Sequence, residues 1–267
     1  MPRQPTPLRT DLGWSAADRV VVRGKDLPGE LLGKINLGDM AFLELMGRVP
    51  TAQESTVFNA VLVTLVEHGV TPSALAARLT YAGAPESLQA AVAAGLCGLG
   101  SVFVGSTEGV AKMLSEALPR ERARTATPAE LDTIAREAVA AWRARSKAPF
   151  PGLGHPIHKP VDPRTARLFE IARANGFAGG YVELVQRIAA EAARVSGRTL
   201  PLNATGAIGA ICCELGVPER VVRGLGVMAR AVGLVAHLLE ETEHPMALEI
   251  WRRIDAEATA HARPQHD

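Results

Sequence analysis

The chain has 267 residues, 47% of them hydrophobic and 21% charged, with a formal net charge of +1. That length can bury a sizeable core in one large domain or two smaller ones, and the near-neutral charge argues against a general nucleic-acid or anionic-membrane binder. The three cysteines, two of them adjacent at Cys212 and Cys213, make neither a disulfide framework nor a CxxC metal pair, so a reducing, cytoplasmic setting is expected.

Taken in order, the N-terminal MPRQPTPLRTDLGWSAADR lacks the apolar run of a secretory signal and reads as an extended arm. Arg19–Gly24 (RVVVRG) is the clearest strand signal in a sequence otherwise full of helix. Thr56–His68 predicts a nearly all-round apolar core helix, and Pro72 opens another running to about Tyr81. Ser87–Thr107 carries no charge and is long enough to span a bilayer, but Gly95, Gly98, Gly100 and Gly105 favour a pair of buried helices in close backbone approach. Thr127-Pro128-Ala129-Glu130 is a capping box for a helix to about Lys147. Asp162 caps a helix that Gly176 closes. Further helices are expected over Tyr181–Val195, Ala204–Leu215 and Pro218–Leu239, and a last one from about Pro245. In the long one, Val221, Leu225, Met228, Val232 and Val235 share an apolar stripe. With no internal repeat, the fold class is all-α, less regular than a four-helix bundle.

The densest cluster of polar and rigid residues is PFPGLGHPIHKPVDPR, residues 149 to 164. His155-x2-His158-x3-Asp162 has ligand-like spacing, yet a zinc site needs a third strong ligand and no HExxH or cysteine pair supplies it. Gly152-Leu153-Gly154 lacks both the GxxxxGK[ST] pattern and a preceding strand that a phosphate loop requires. Taken alone, the segment reads best as a proline-rich turn.

It does not stand alone. The segment resembles the GxGHxVYKxxDPR motif of the citrate synthase superfamily. Glu67–Arg78 is similar to the family's DHExNASTFTAR stretch, keeping His68, Ser73 and Arg78 in register. Leu202–Gly209 with Glu214–Pro218 resembles NVDxxxG…LGIP, and Met228–His237 resembles the ARxxGxxAH helix. The four matches run in the family's order from about residue 30 to the end.

The resemblance implies an enzyme that makes or breaks a C–C bond between the α-carbon of an acyl-CoA and a keto-acid carbonyl. Such chemistry needs cations for carboxylates, an acid/base at the carbonyl oxygen and stabilisation of the thioester enolate. By the match, His155 is the acid/base. Arg164 and Arg230 clamp carboxylates, with His68, Arg78 and Asn203 also at the substrate, and Pro151, Gly152, Leu153 and Gly154 receive coenzyme A. The thioester is substrate rather than resident cofactor, and no metal is implied. Two departures follow. The enolate-side histidine of GPLHGGANE is Phe103 here, a change shared with the citryl-CoA lyase branch, to which the C-terminal module of ATP-citrate lyase belongs. The catalytic aspartate of NVD falls on Thr205, which is no carboxylate base.

Three readings therefore compete: a citryl-CoA lyase-like enzyme, a citrate or methylcitrate synthase, and a CoA- or keto-acid-binding protein without chemistry. The resemblance further implies a large helical domain (1–105 with 217–267), a smaller one at 106–216, a cleft between them, and at least a homodimer. His237 reads as a satisfied core histidine and the cysteine pair as small buried apolar residues. His158 is either a proton relay or a turn residue. Arg122, Arg124, Arg136, Arg143 and Arg145 form a solvated face or a basic edge near the CoA phosphates.

Overall fold

The structure, a computed structural model, describes residues 8–154 and 161–262. Its few strands lie at the start: β1 (Gly13–Ser15), β2 (Val20–Val22) and β3 (Lys25–Asp26) make a small antiparallel sheet with Gly13 opposite Val22 and Val22 opposite Lys25. Arg23 and Gly24 turn the chain between β2 and β3 with φ of 48° and 77°. The expected arm therefore ends in a hairpin from Gly13 onward, and β1 and β3 are too short for alternation to reveal them.

The rest is helical, as expected: α1 (Leu37–Met46), α2 (Ala52–Val66), α3 (Pro72–Gly83), α4 (Leu88–Cys97), α5 (Gly105–Ala117), α6 (Arg120–Ala123), α7 (Pro128–Arg145), α8 (Pro163–Ala174), α9 (Gly180–Ser196), α10 (Ala204–Leu215), α11 (Glu219–Glu243) and α12 (Ala247–Thr259). Local chemistry sets the boundaries. Thr127 and Glu130 exchange both bonds of the capping box that opens α7. A second box, Thr51 with Glu54, starts α2 four residues before its apolar run, and Arg48 closes on Glu54 with two bonds of 2.6 and 2.8 Å. Hydrogen bonds from Arg48 hold the Glu54 carboxyl down at about 2 against the opposing effect of burial. α2 is not apolar to the core all round, since Val63 points outward. Asn175 caps α8, and Gly176 follows it in the left-handed region.

The uncharged stretch at 87–107 resolves into α4, a turn and the start of α5. A side chain at Gly95 would come within 2.8 Å of the Ser73 carbonyl and 2.7 Å of Leu234, so α4 lies close on α3 and α11. α10 is buried almost throughout, packed among α5, α8 and α9. α2 and α11 pack on one another, and the core is continuous from Phe42 and Phe58 through Leu114 and Ile211 to Leu225. A smaller cluster of Ala74, Ala77, Ala91, Leu234 and Leu238 sits beneath α3 and α4.

The stripe expected on α11 divides. Leu225 is buried, but Met228, Val232 and Val235 face outward, and the inner face is built by Val222, Ala229, Leu234 and Leu238 with Gly226 and Gly233. The reason is that glycine lets neighbouring chain approach where larger residues would not: Gly226 touches Val104, and Gly233 faces the Val66 carbonyl. Among the described residues α11 is the helix long and apolar enough to cross a bilayer, and half of that window is buried inside the protein.

Candidate active site

Three chain segments converge at the N-termini of α8 and α10. Gly152, with φ of 77°, passes so close to α10 that a Cβ there would sit 2.7 Å from the Gly206 Cα and from Val110. The Asn203 N–H donates to the Gly152 carbonyl at 3.0 Å, the Gly154 N–H to Pro201 at 2.7 Å, and the Asn203 Nδ2 to the Gly154 carbonyl at 2.7 Å. Asn203 also caps α10, its Oδ1 accepting from the Gly206 N–H at 3.1 Å and from the Thr205 hydroxyl at 2.7 Å. The 151–154 loop is thus latched along the segment that begins α10.

Asp162 joins α8 to this arrangement. Fully buried, it accepts from the Arg164 N–H at 3.0 Å, from Arg164 Nε and Nη2 at 3.0 and 2.8 Å, and from the Ala204 N–H at 3.0 Å. Burial pushes this carboxyl up, but the bonds from Arg164 and Ala204 together hold it below the ordinary aspartate value. Arg164 is therefore placed, its side chain 29% exposed, by an aspartate two residues before it. Asp162 was legible in the sequence as a cap, whereas its reach to α10 was not.

A second group gathers where α2 ends. His68 lies in the exposed turn between α2 and α3. The Glu67 carboxylate folds back to accept from the His68 N–H at 2.8 Å and the Gly69 N–H at 2.5 Å, and it lies 3.2 Å from His237 Nε2 and 3.8 Å from Arg230 Nη1. Arg230 is only 8% exposed, and its Nε and Nη1 have no hydrogen-bond partner among the described residues. Burial pulls its guanidinium below the ordinary arginine value, with Glu67 opposing that shift. Arg78 is fully buried and bonded within the protein: to His237 Nδ1 at 2.9 Å, to Glu241 at 2.7 Å, and to Glu240.

Of the expected site residues, Asn203, Thr205, Arg164 and Pro151–Gly154 are brought to one place, and His68, Arg230 and Arg78 to another. His155 and His158 lie outside the described residues. Phe103 is 48% exposed in the turn before α5. Arg122 pairs with Glu130 at 2.9 Å, while Arg143 and Lys147 border a cavity of about 390 Å³ shared with Trp142 and Phe150, directly ahead of the 151–154 loop. Cys212 and Cys213 are buried as expected, and burial pushes both thiols up, Cys213 to about 12. Among the described residues no group of three or more His, Cys, Asp or Glu is placed to hold a metal ion.

Residues 39–253 match the family model of the citrate synthase C-terminal domain. The chain belongs to the citrate synthase family. In structure it is similar to the citryl-CoA lyase of Hydrogenobacter thermophilus, 34% identical with a TM-score of 0.76, covering 88% of this chain and 86% of that one. It shares its fold with the ATP citrate lyase of Methanothrix soehngenii solved with citrate and coenzyme A: 22% identical, TM-score 0.72, covering 90% of this chain and 40% of that one. In sequence it is 24% identical to the citrate synthase of Deinococcus radiodurans over 249 residues, 91% of this chain and 60% of that protein. The chain thus spans about half to three-fifths of the length of the curated citrate synthases it matches.

Within this family member, sequence reasoning left Glu67 and Glu241 without a role. The signal was available in part. Arg230, His237 and Glu241 are spaced by seven and four, so they share one face of α11 that is otherwise apolar. What the sequence could not supply was the pairing of Arg78, already named from its motif, with a histidine 159 positions away.

Proposed function

We propose that this protein is a citryl-CoA lyase-like enzyme, cleaving or forming a β-hydroxy acyl-CoA whose products are an acyl-CoA and a keto acid such as acetyl-CoA and oxaloacetate. Arg230 is the observation that carries the reading. A guanidinium stays charged at any physiological pH, and a buried one with open donors is a receptor for a carboxylate. The latched loop at 151–154 suits close backbone approach by the pantetheine arm. The neighbouring cavity offers Trp142 and Phe150 to a nucleotide base, with Arg143 and Lys147 for its phosphates. The likeness to a citryl-CoA lyase at 34% identity favours the cleavage branch.

In cleavage, a base takes the hydroxyl proton of the citryl group and the C–C bond breaks. The electron pair passes to the α-carbon of the thioester, and that enolate takes up a proton. By the sequence resemblance His155 removes the hydroxyl proton, Arg164 and Arg230 hold carboxylates, and His68 hydrogen-bonds the keto-acid part. Thr205 occupies the place of the family's aspartate, and its hydroxyl proton is already given to Asn203. It offers lone pairs of negligible basicity at neutral pH. Losing a general base costs about 10²–10⁴-fold, in both directions, since they share one transition state. Slow deuterium uptake by the acetyl-CoA methyl group is expected, with faster chemistry on acyl groups that enolise readily. Thr205→Asp should raise the uptake; fast uptake in the natural protein would assign the base to another residue.

The synthase reading has less support because Phe103 and Thr205 replace both enolising groups. It differs by releasing free CoA from acetyl-CoA and oxaloacetate without added citryl-CoA. A binding protein without chemistry would retain citryl-CoA unchanged. A screen of acyl-CoAs against keto acids, and of citryl-CoA alone, read by mass spectrometry, separates the three.

Self-association is part of the proposal. Ala247 is the buried residue of α12, leaving Leu248, Trp251 and Ile254 exposed, and Met228, Val232, Val235 and Leu239 make a second open stripe on α11. Apolar surface of this kind calls for cover, and a second copy of the chain supplies it. Sedimentation equilibrium should give a dimer or larger, and Trp251→Glu should shift it towards monomer.

A further inference from the structure

The charged residues around His237 form a chain rather than a cluster. At its start, Glu241 accepts from the Met246 and Ala247 N–H groups at 2.9 and 2.8 Å, fixing the entry to α12, and it also accepts from Arg78 Nη1 at 2.7 Å. Arg78 then reaches His237 Nδ1 through Nε at 3.3 Å and Nη2 at 2.9 Å. On the other side of the ring, Nε2 stands 3.2 Å from Glu67. Glu67 ends the chain on the His68 and Gly69 N–H groups and beside Arg230.

The direction of each bond follows from chemistry. Arginine carries donors only, so Nδ1 facing two of its nitrogens must present a lone pair. The ring proton then lies on Nε2 and is donated to Glu67. A proton on Nδ1 would point at a fully buried guanidinium, so the Nε2–H arrangement is the one that satisfies both neighbours. Glu240, 4.0 Å from Nδ1, faces the same edge but is itself engaged by Arg78. His237 thereby accepts at Nδ1 from Arg78 and donates through Nε2 to Glu67.

We propose that His237 and Glu67, backed by Arg78, are positioning residues for the keto-acid end of the site. His237 holds the Glu67 carboxylate in the one place where it can organise the turn bearing His68 and stand beside Arg230. The proposal rests on the lyase-type reading for what binds there, but the geometry it assigns is independent of that reading. Gly69, at φ of 73°, lets the turn curl back over the carboxylate; without the anchor on His237 that carboxylate is free to swing into solvent, where nearly half of it already lies. Arg78 then sits in the substrate-related segment as support rather than as a ligand.

Two substitutions in the full-length protein separate the possibilities. Asn in His237→Asn can still accept from Arg78 near the position of Nδ1 but falls short of Glu67. Gln in His237→Gln reaches the position of Nε2 and restores the donor to Glu67. Neither side chain titrates. With citrate and oxaloacetate as calorimetric probes, H237N should bind about tenfold more weakly than the natural protein, the size expected for one lost hydrogen bond to a charged group. H237Q should stay within about threefold of it on the same basis, and affinity for coenzyme A should be unchanged in both. Amide hydrogen exchange at His68 and Gly69 should quicken in H237N and not in H237Q. Long-range proton–nitrogen NMR of the His237 ring should show the ring proton on Nε2.

Equal binding and equal exchange in the two variants, or a ring protonated on Nδ1, would overturn the assignment. Loss of turnover in both variants alongside natural binding would also overturn it, making His237 a proton-transfer group. If the natural protein binds neither citrate nor oxaloacetate, the lyase-type reading fails, and the exchange and tautomer measurements still decide the positioning role.

Discussion

The two halves of the candidate site are built by opposite means. Around Asn203 and Asp162, polar groups are satisfied at helix N-termini: a cap accepts its N–H groups, a loop carbonyl takes the amide, and Arg164 folds onto an aspartate two positions away. Around Arg230, charges from the end of α2, from α3 and from α11 meet across long sequence separations, and Arg230 keeps two buried donors without a hydrogen bond among the described residues. The first half is a scaffold that is complete without a ligand. In the second, two buried donors of Arg230 make no hydrogen bond among the described residues, and on them the proposed carboxylate site rests.

Substitutions should expose that difference, first as a contrast of stability against binding. Asp162→Ala removes the buried carboxylate to which Arg164 and the Ala204 N–H donate and should cost about 3 kcal/mol of stability, measured by urea unfolding. Arg230→Ala should weaken citrate or oxaloacetate by about 2–5 kcal/mol in calorimetry and cost less stability than Asp162→Ala, because Arg230 has the Glu67 carboxylate at 3.8 Å but no hydrogen bond to Nε or Nη1 among the described residues. If Arg230→Ala unfolds the protein and Asp162→Ala does not, the contrast is reversed and the division between scaffold and receptor is wrong.

A pH titration sharpens it. The folded Asp162 carboxyl titrates below its unfolded value, so its contribution is fully present above the ordinary aspartate pKa of about 3.9 and is lost as pH falls through the lower folded value. Asp162→Asn should flatten that part of the acid-unfolding curve. An unchanged curve would assign the acid sensitivity elsewhere.

Smaller effects belong to the latch. Asn203→Ala removes a helix cap together with the hold on the Gly154 carbonyl and should cost about 1–2 kcal/mol. Coenzyme A affinity should fall with it, since the loop is then free. Gly152→Ala places a side chain at positive φ against Gly206 and Val110 and should cost about 1 kcal/mol or more, read as a lowered Tm. A stability equal to that of the natural protein in either variant would mean that the loop is held by something other than α10.

The same contrast explains what the sequence disclosed. Capping signals are local, so Thr127 and Asp162 announced α7 and α8 in the residues themselves; Asn203 caps α10 by the same chemistry, but the sequence motif marks it only as a substrate residue. Helix faces were less legible: the stripe through Met228, Val232 and Val235 had the right period, but Gly226 and Gly233 decide which side of α11 faces inward. The Glu67–His237–Arg78 chain was not legible at all, since no local rule pairs residues some 160 positions apart. Phe103 and Thr205 were visible as departures from a motif, and their consequence is chemical rather than structural.

The proposed carboxylate site at Arg230 and the 151–154 loop should serve one citryl-type thioester. The most direct test is to incubate the protein and its Arg230→Ala variant with citryl-CoA and follow products by mass spectrometry. The account predicts acetyl-CoA and oxaloacetate in equal amounts from the natural protein, and far less of both from the variant. Intact citryl-CoA, release of free CoA and citrate, or equal turnover by the two proteins would contradict it.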